Sequence, residues 1–178
     1  STGYDDAAAE LARGPFASGT LRTTTAVFDE TVRLLSREEW RAAIVRVTRD
    51  LDRIMPDLAN RINALPVSDN WKLPLFERMD TWTLIASFNK RVIGQLRVLM
   101  ARSRQQNDAR DSYRDILSPE ELDLVPLAAI DGLLVTLYGY RDLATQAHLR
   151  FCDAATARHV FNTWLTLQRA LAASRLFA

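Results

Sequence analysis

"LDLVPLAAIDGLLVTLYGY", residues Leu122 to Tyr140, is apolar on nearly every side of a helical projection, and its reading decides the fold. A run of this length either crosses a bilayer or lies inside a packed helical protein. Asp123, Pro126 and Asp131 interrupt it, and no compensating charge stands near them, which favours the packed helix. The expectation is a central helix surrounded by others. Just ahead of it, "SPEE" (Ser118 to Glu121) supplies an N-cap serine, a first-turn proline and an acidic third helical position.

Toward the N-terminus, Asp80 is placed to cap a second helix. Its stripe, Trp82, Ile85, Phe88 or Asn89, Val92, Leu96, Leu99 and Met100, predicts a helix to about Gln105. The segment Leu65 to Pro74 carries two prolines and a Ser-Asp-Asn cluster, so it reads as a loop with Trp71 folded back on the core. Earlier still, "SREEW" sets Ser36 three residues before Glu39, the capping-box spacing. A helix is expected there, with Trp40, Ala43, Ile44, Val47, Leu51 and Ile54 on one face, until Pro56 kinks or interrupts it. A shorter piece, Asp57 to about Ala64, follows.

Val27, Phe28, Val32 and Leu35 predict a helix ending near Ser36, and Val160, Trp164, Leu167 and Leu171 predict a last one from Ala154 to about Leu176. Residues 1–25, rich in Gly and Thr around one short helical stretch at Asp5 to Arg13, read as a flexible arm, and 26–178 as a single domain. No alternating pattern persists. The fold class is therefore all-α: an irregular antiparallel bundle of about four long helices plus short ones.

The charge balance, 23 Lys and Arg against 22 Asp and Glu, excludes a globally basic nucleic-acid binder and leaves only a local patch for such contacts. A lone cysteine cannot form an internal disulfide, which fits a reducing, intracellular compartment. The start shows neither a signal-peptide pattern nor an anchor, so the chain reads as soluble, without a membrane partner.

His148, Cys152 and His159 hold the only thiol and both imidazoles. On one continuous helix they share a face, but the histidines are then separated by about 16 Å of rise, too far for one ion. Asp153 is better placed to cap the last helix, which breaks that face. The acidic pairs Asp5-Asp6, Glu38-Glu39 and Glu120-Glu121 diverge by about 100° on a helix, and no phosphate loop, nucleophile elbow or zinc-protease motif is present. The reading assigns no catalytic residue, no metal ligand and no cofactor, and expects a non-enzyme.

Two features remain. Asp131 interrupts the most apolar run and needs a partner, expected to be Arg91 or Arg97. Between Lys90 and Arg114 seven basic residues face two acidic ones. Arg91, Arg97, Arg102, Arg104 and Arg110 are the expected contacts to phosphates or an acidic partner. The expected function is non-catalytic association: self-assembly or docking to another protein, with nucleic-acid backbone contact as one form of it. The alternative is a small-molecule-sensing domain with a pocket at Trp82, Phe88, Asp131, Leu134 and Tyr138. "AAIDGLLVTLYGY" resembles in general character the ligand-binding half of tetracycline-repressor-like regulators, which implies such a pocket. The helix-turn-helix of those regulators is not recognisable in the first fifty residues, and the chain is assigned to no family.

Overall fold

The computed structural model describes residues 3–17, 21–75, 79–105, 116–146 and 152–178, with the backbone alone for 103–105. The fold is all-α, with no strand among the described residues. Its helices are α1 (Asp5–Leu11), α2 (Thr24–Ser36), α3 (Trp40–Arg49), α4 (Leu51–Asn63), α5 (Thr81–Phe88), α6 (Gly94–Gln105), α7 (Pro119–Leu122), α8 (Asp131–Thr145) and α9 (Ala154–Ala173). A π-helical turn, Asn89–Ile93, joins α5 to α6. The chain forms two compact units, one of Ser1–Arg53 with Gly132–Ala178, the other of Ile54–Asp131.

In the first unit α9 is the central helix. It packs on α2 and α3, which also pack on each other. Val160, Phe161, Trp164, Leu167 and Leu171 are fully buried at helical spacing. Phe161 lies parallel to Trp164 at 5.7 Å and receives the Tyr4 ring edge-on at 4.7 Å. Within the stretch read as an arm, Ala7 and Leu11 bury one face of α1, and Glu10 pairs with Arg169. Asp153 caps α9 as expected, accepting the Thr156 amide at 2.8 Å.

The run Leu122 to Tyr140 is not one central helix. It divides into α7, a 3-10 stretch at Val125–Ala129 and α8. Pro126 sits in the first turn of the 3-10 stretch, where its missing donor is tolerated, and Asp131 starts α8 where it was expected to interrupt a helix. α8 buries Leu134, Leu137 and Ala144 while Val135 and Leu143 are exposed, so it is amphipathic. Among the described residues no single helix is long and apolar enough to cross a membrane.

The capping box expected at Ser36 and Glu39 does not form. Ser36 closes α2, its hydroxyl donating to the Arg33 carbonyl, and Glu39 precedes α3 without a side-chain cap bond. The backbone makes the turn instead. The Glu39 amide donates to the Leu34 carbonyl and the Glu38 amide to the Leu35 carbonyl, the paired bonds of a Schellman motif. Glu38 stands at φ 58°, in the left-handed region that glycine ordinarily fills at this position. Glu38→Gly is therefore expected to raise stability by about 0.5–1 kcal/mol in urea unfolding, relief of strain outweighing glycine's unfolded-chain entropy.

The break after α3 also falls elsewhere than expected, at Asp50 and not at Pro56, which lies within α4. Asp50 is 4% exposed. Its carboxylate accepts the Trp164 indole N–H at 2.8 Å and a two-pronged contact from Arg53 at 2.7 and 3.0 Å. Arg53 also reaches Thr24, whose hydroxyl donates to the Gln168 side-chain oxygen. The break between α3 and α4 thus falls on the residue whose carboxylate makes these contacts.

In the second unit, α4 buries Ile54, Met55, Leu58, Ala59 and Ile62. Asn63 clamps the following loop, its side chain both donating to and accepting from the Leu73 backbone at 2.8 Å. Trp71 is 1% exposed, folded into the core as expected. Asp80 caps α5 through the Thr83 amide at 2.7 Å, and Ser118 with Glu121 makes the full capping box on α7. Glu121 serves twice, because its second oxygen accepts the Trp71 indole N–H at 2.7 Å.

Candidate functional site

The strip of expected contacts lies in the second unit, on the π-helical turn and α6. Arg91, Arg97 and Arg102 are exposed, as is Lys90. The Arg104 side chain and all of Arg110 lie outside the described residues. No Asp or Glu occurs between Asp80 and Asp108, so the helix carries its cations without local compensation. Among the described residues none of Lys90, Arg91, Arg97 and Arg102 makes an ion pair, whereas Arg46, Arg53, Arg61, Arg141 and Arg169 each hold a carboxylate. Val98 and Met100 are exposed on the same helix, which makes the surface a mixture of guanidinium and apolar groups.

Asp131 finds a different partner from the one expected. The Asn89 side-chain amide donates to it at 2.8 Å, and neither Arg91 nor Arg97 reaches it. Asn89 opens the π-helical turn, and its carbonyl accepts the Gly94 amide, so the widened turn and the polar contact share one residue. The second carboxylate oxygen of Asp131 is buried without a hydrogen-bond partner among the described residues. An arginine on this face keeps its charge in water, whereas a neutral amide satisfies the acid at a lower desolvation cost.

The five residues of the alternative pocket do not share a unit. Trp82, Phe88 and Asp131 belong to the second, Leu134 and Tyr138 to the first. Phe88 and Leu134 are fully buried core residues, Trp82 is 43% exposed, and Tyr138 is half-buried with the Arg141 guanidinium 5.6 Å from its ring centre. Cys152 is free and half-buried, and His159 is exposed with its ring against Tyr140. His148 lies outside the described residues.

Sequence reasoning missed a groove of about 870 Å³ in the first unit. Its walls are helix ends: the Glu38-Glu39 turn, the outer face of α3 from Trp40 to Arg49, Thr145 closing α8, and Cys152 before α9. The Arg41 Nε–H donates to the Ala144 carbonyl at 2.7 Å, tying the first turn of α3 to the end of α8. Arg49 lines this groove and a second one of about 530 Å³. The available signal was the spacing Arg41, Val45, Arg49, one residue per helical turn beside Trp40.

No family model, curated protein or solved structure matches this chain.

Proposed function

We propose that the protein works without catalysis, by association, using the basic face of the π-helical turn and α6 to hold a polyanion, in the first instance a phosphate backbone. The supporting observation is the clustering of cations: Lys90, Arg91, Arg97 and Arg102 stand exposed on an acid-free stretch and make no ion pair among the described residues. An unpaired guanidinium in water has lost no partner and is ready for two-pronged contact with phosphate. No aromatic side chain falls between Lys90 and Arg102, so the contact is to backbone charge and not to stacked bases. Copies brought onto one polyanion would then assemble along it, which joins self-association and phosphate contact in one activity.

The test is fluorescence anisotropy with a labelled mixed-sequence single-stranded oligonucleotide, comparing the wild type with the triple variant Arg91→Glu, Arg97→Glu and Arg102→Glu. Affinity is expected to fall at least about tenfold, and the salt slope to shrink by roughly 0.7 for each phosphate that the variant no longer neutralises. Equal affinity and equal slope would refute the reading. Binding of an acidic protein in place of the oligonucleotide, with the same weakening in the variant, would keep the surface and change the partner.

A further inference from the structure

We propose that the groove at the head of α3 binds an elongated organic anion, its charged group at Arg49 and its apolar body along Val45, Ala42 and Trp40. The site is separate from the basic strip, which lies in the other unit.

Its volume, about 870 Å³, is within the usual range for small-molecule sites. Along α3 the charge is unevenly balanced. At the near end Arg41 stands beside Glu38 and Glu39, which also line the groove. At the far end Arg49 is exposed and makes no ion pair or hydrogen bond among the described residues. The other arginines around it are occupied: Arg46 holds Glu30, and Arg53 holds Asp50. Asp52, the remaining acid of the smaller groove, is paired with Arg141. Arg49 is thus a cation shared by both grooves that makes no ion pair among the described residues. From Glu39 to Arg49 the helix rises about 15 Å, with Ala42 and Val45 one turn apart between the ends. That length suits a chain of about ten carbons carrying one anionic head, better than a compact ion.

The groove is also held in shape before any ligand enters. The Schellman turn fixes Glu38 and Glu39, and the Arg41 hydrogen bond to Ala144 fixes the opposite wall. Preformed walls lower the ordering cost of binding.

The probe is 8-anilinonaphthalene-1-sulfonate, followed by fluorescence and displaced with sodium decanoate. Decanoate should displace it, and decyltrimethylammonium should not. Arg49→Glu should weaken probe binding at least about tenfold with unchanged helicity by circular dichroism, because Arg49 is exposed and makes no hydrogen bond or ion pair among the described residues. Val45→Trp, which keeps the charges and fills the groove, should abolish displacement. Cys152, the only cysteine of the chain, lines the groove and gives an independent readout. Decanoate should slow its reaction with a disulfide reagent by about threefold or more through reduced access. The proposal is overturned if Arg49→Glu binds as the wild type does, if the cationic amphiphile competes equally, or if decanoate leaves the thiol rate unchanged. It is equally overturned if Arg97→Glu or Arg102→Glu removes the binding and Arg49→Glu does not.

Discussion

Asp50→Ala is expected to destabilise the protein by about 3–4 kcal/mol, more than any other single substitution proposed for this chain. The loss has two parts. Trp164 is fully buried, and its indole N–H would meet no acceptor once the carboxylate is gone. Arg53 would be deprived of both its hydrogen bonds to Asp50, but its side chain is 30% exposed, so water takes up part of that charge. Asp50→Asn keeps an acceptor for the indole and removes only the charge, and a loss of about 1–2 kcal/mol is expected. Urea unfolding followed by tryptophan fluorescence measures both. Losses below about 1 kcal/mol for Asp50→Ala would mean that the carboxylate is not what locks α3 to α9.

Glu121→Ala should cost about 2–3 kcal/mol, by ending a capping box and leaving the buried Trp71 indole without an acceptor. Burial raises the Glu121 carboxyl, but hydrogen bonds from the Ser118 amide, the Trp71 indole and the Ser118 hydroxyl outweigh it and hold the group below the ordinary glutamate value. A depressed folded value fixes the sign. The stabilisation is fully present above the unfolded pKa, near about 4.3, and is lost as pH falls through the folded value. The stability gap between wild type and Glu121→Gln should accordingly be widest at neutral pH and narrow below about pH 4. A gap that stays constant down to acid unfolding would remove the carboxylate's charge from the account.

The helix starts at Asp80, Ser118 and Asp153 were legible because a side-chain cap reaches an amide three residues on and needs nothing from elsewhere. Ser36 carried the same spacing and misled, since the competing Schellman turn is made by backbone atoms and demands a strained Glu38 that no pattern announces. The carboxylate at the Asp50 break is bound by Trp164, far along the chain, and the partner of Asp131 is Asn89, which opens a π-helical turn. Such choices are settled by tertiary contact. The nearly all-round apolarity of 122–140 pointed to a buried run, but it could not separate one central helix from two short elements followed by an amphipathic one. The local excess of basic residues was legible because it is a property of composition, and Arg91, Arg97 and Arg102 are exposed. The groove was not, because it is built by the face of α3 with Thr145 and Cys152, which lie about a hundred residues further along the chain.

The most direct test of association through the basic face is size-exclusion chromatography with light scattering and a 260/280 nm absorbance ratio, run at low and then moderate salt. Wild-type protein should elute as large particles carrying nucleic acid that dissociate as salt rises, and the triple glutamate variant should elute small and free of nucleic acid at both. A wild type that is a clean monomer or dimer without nucleic acid under both conditions would contradict the account.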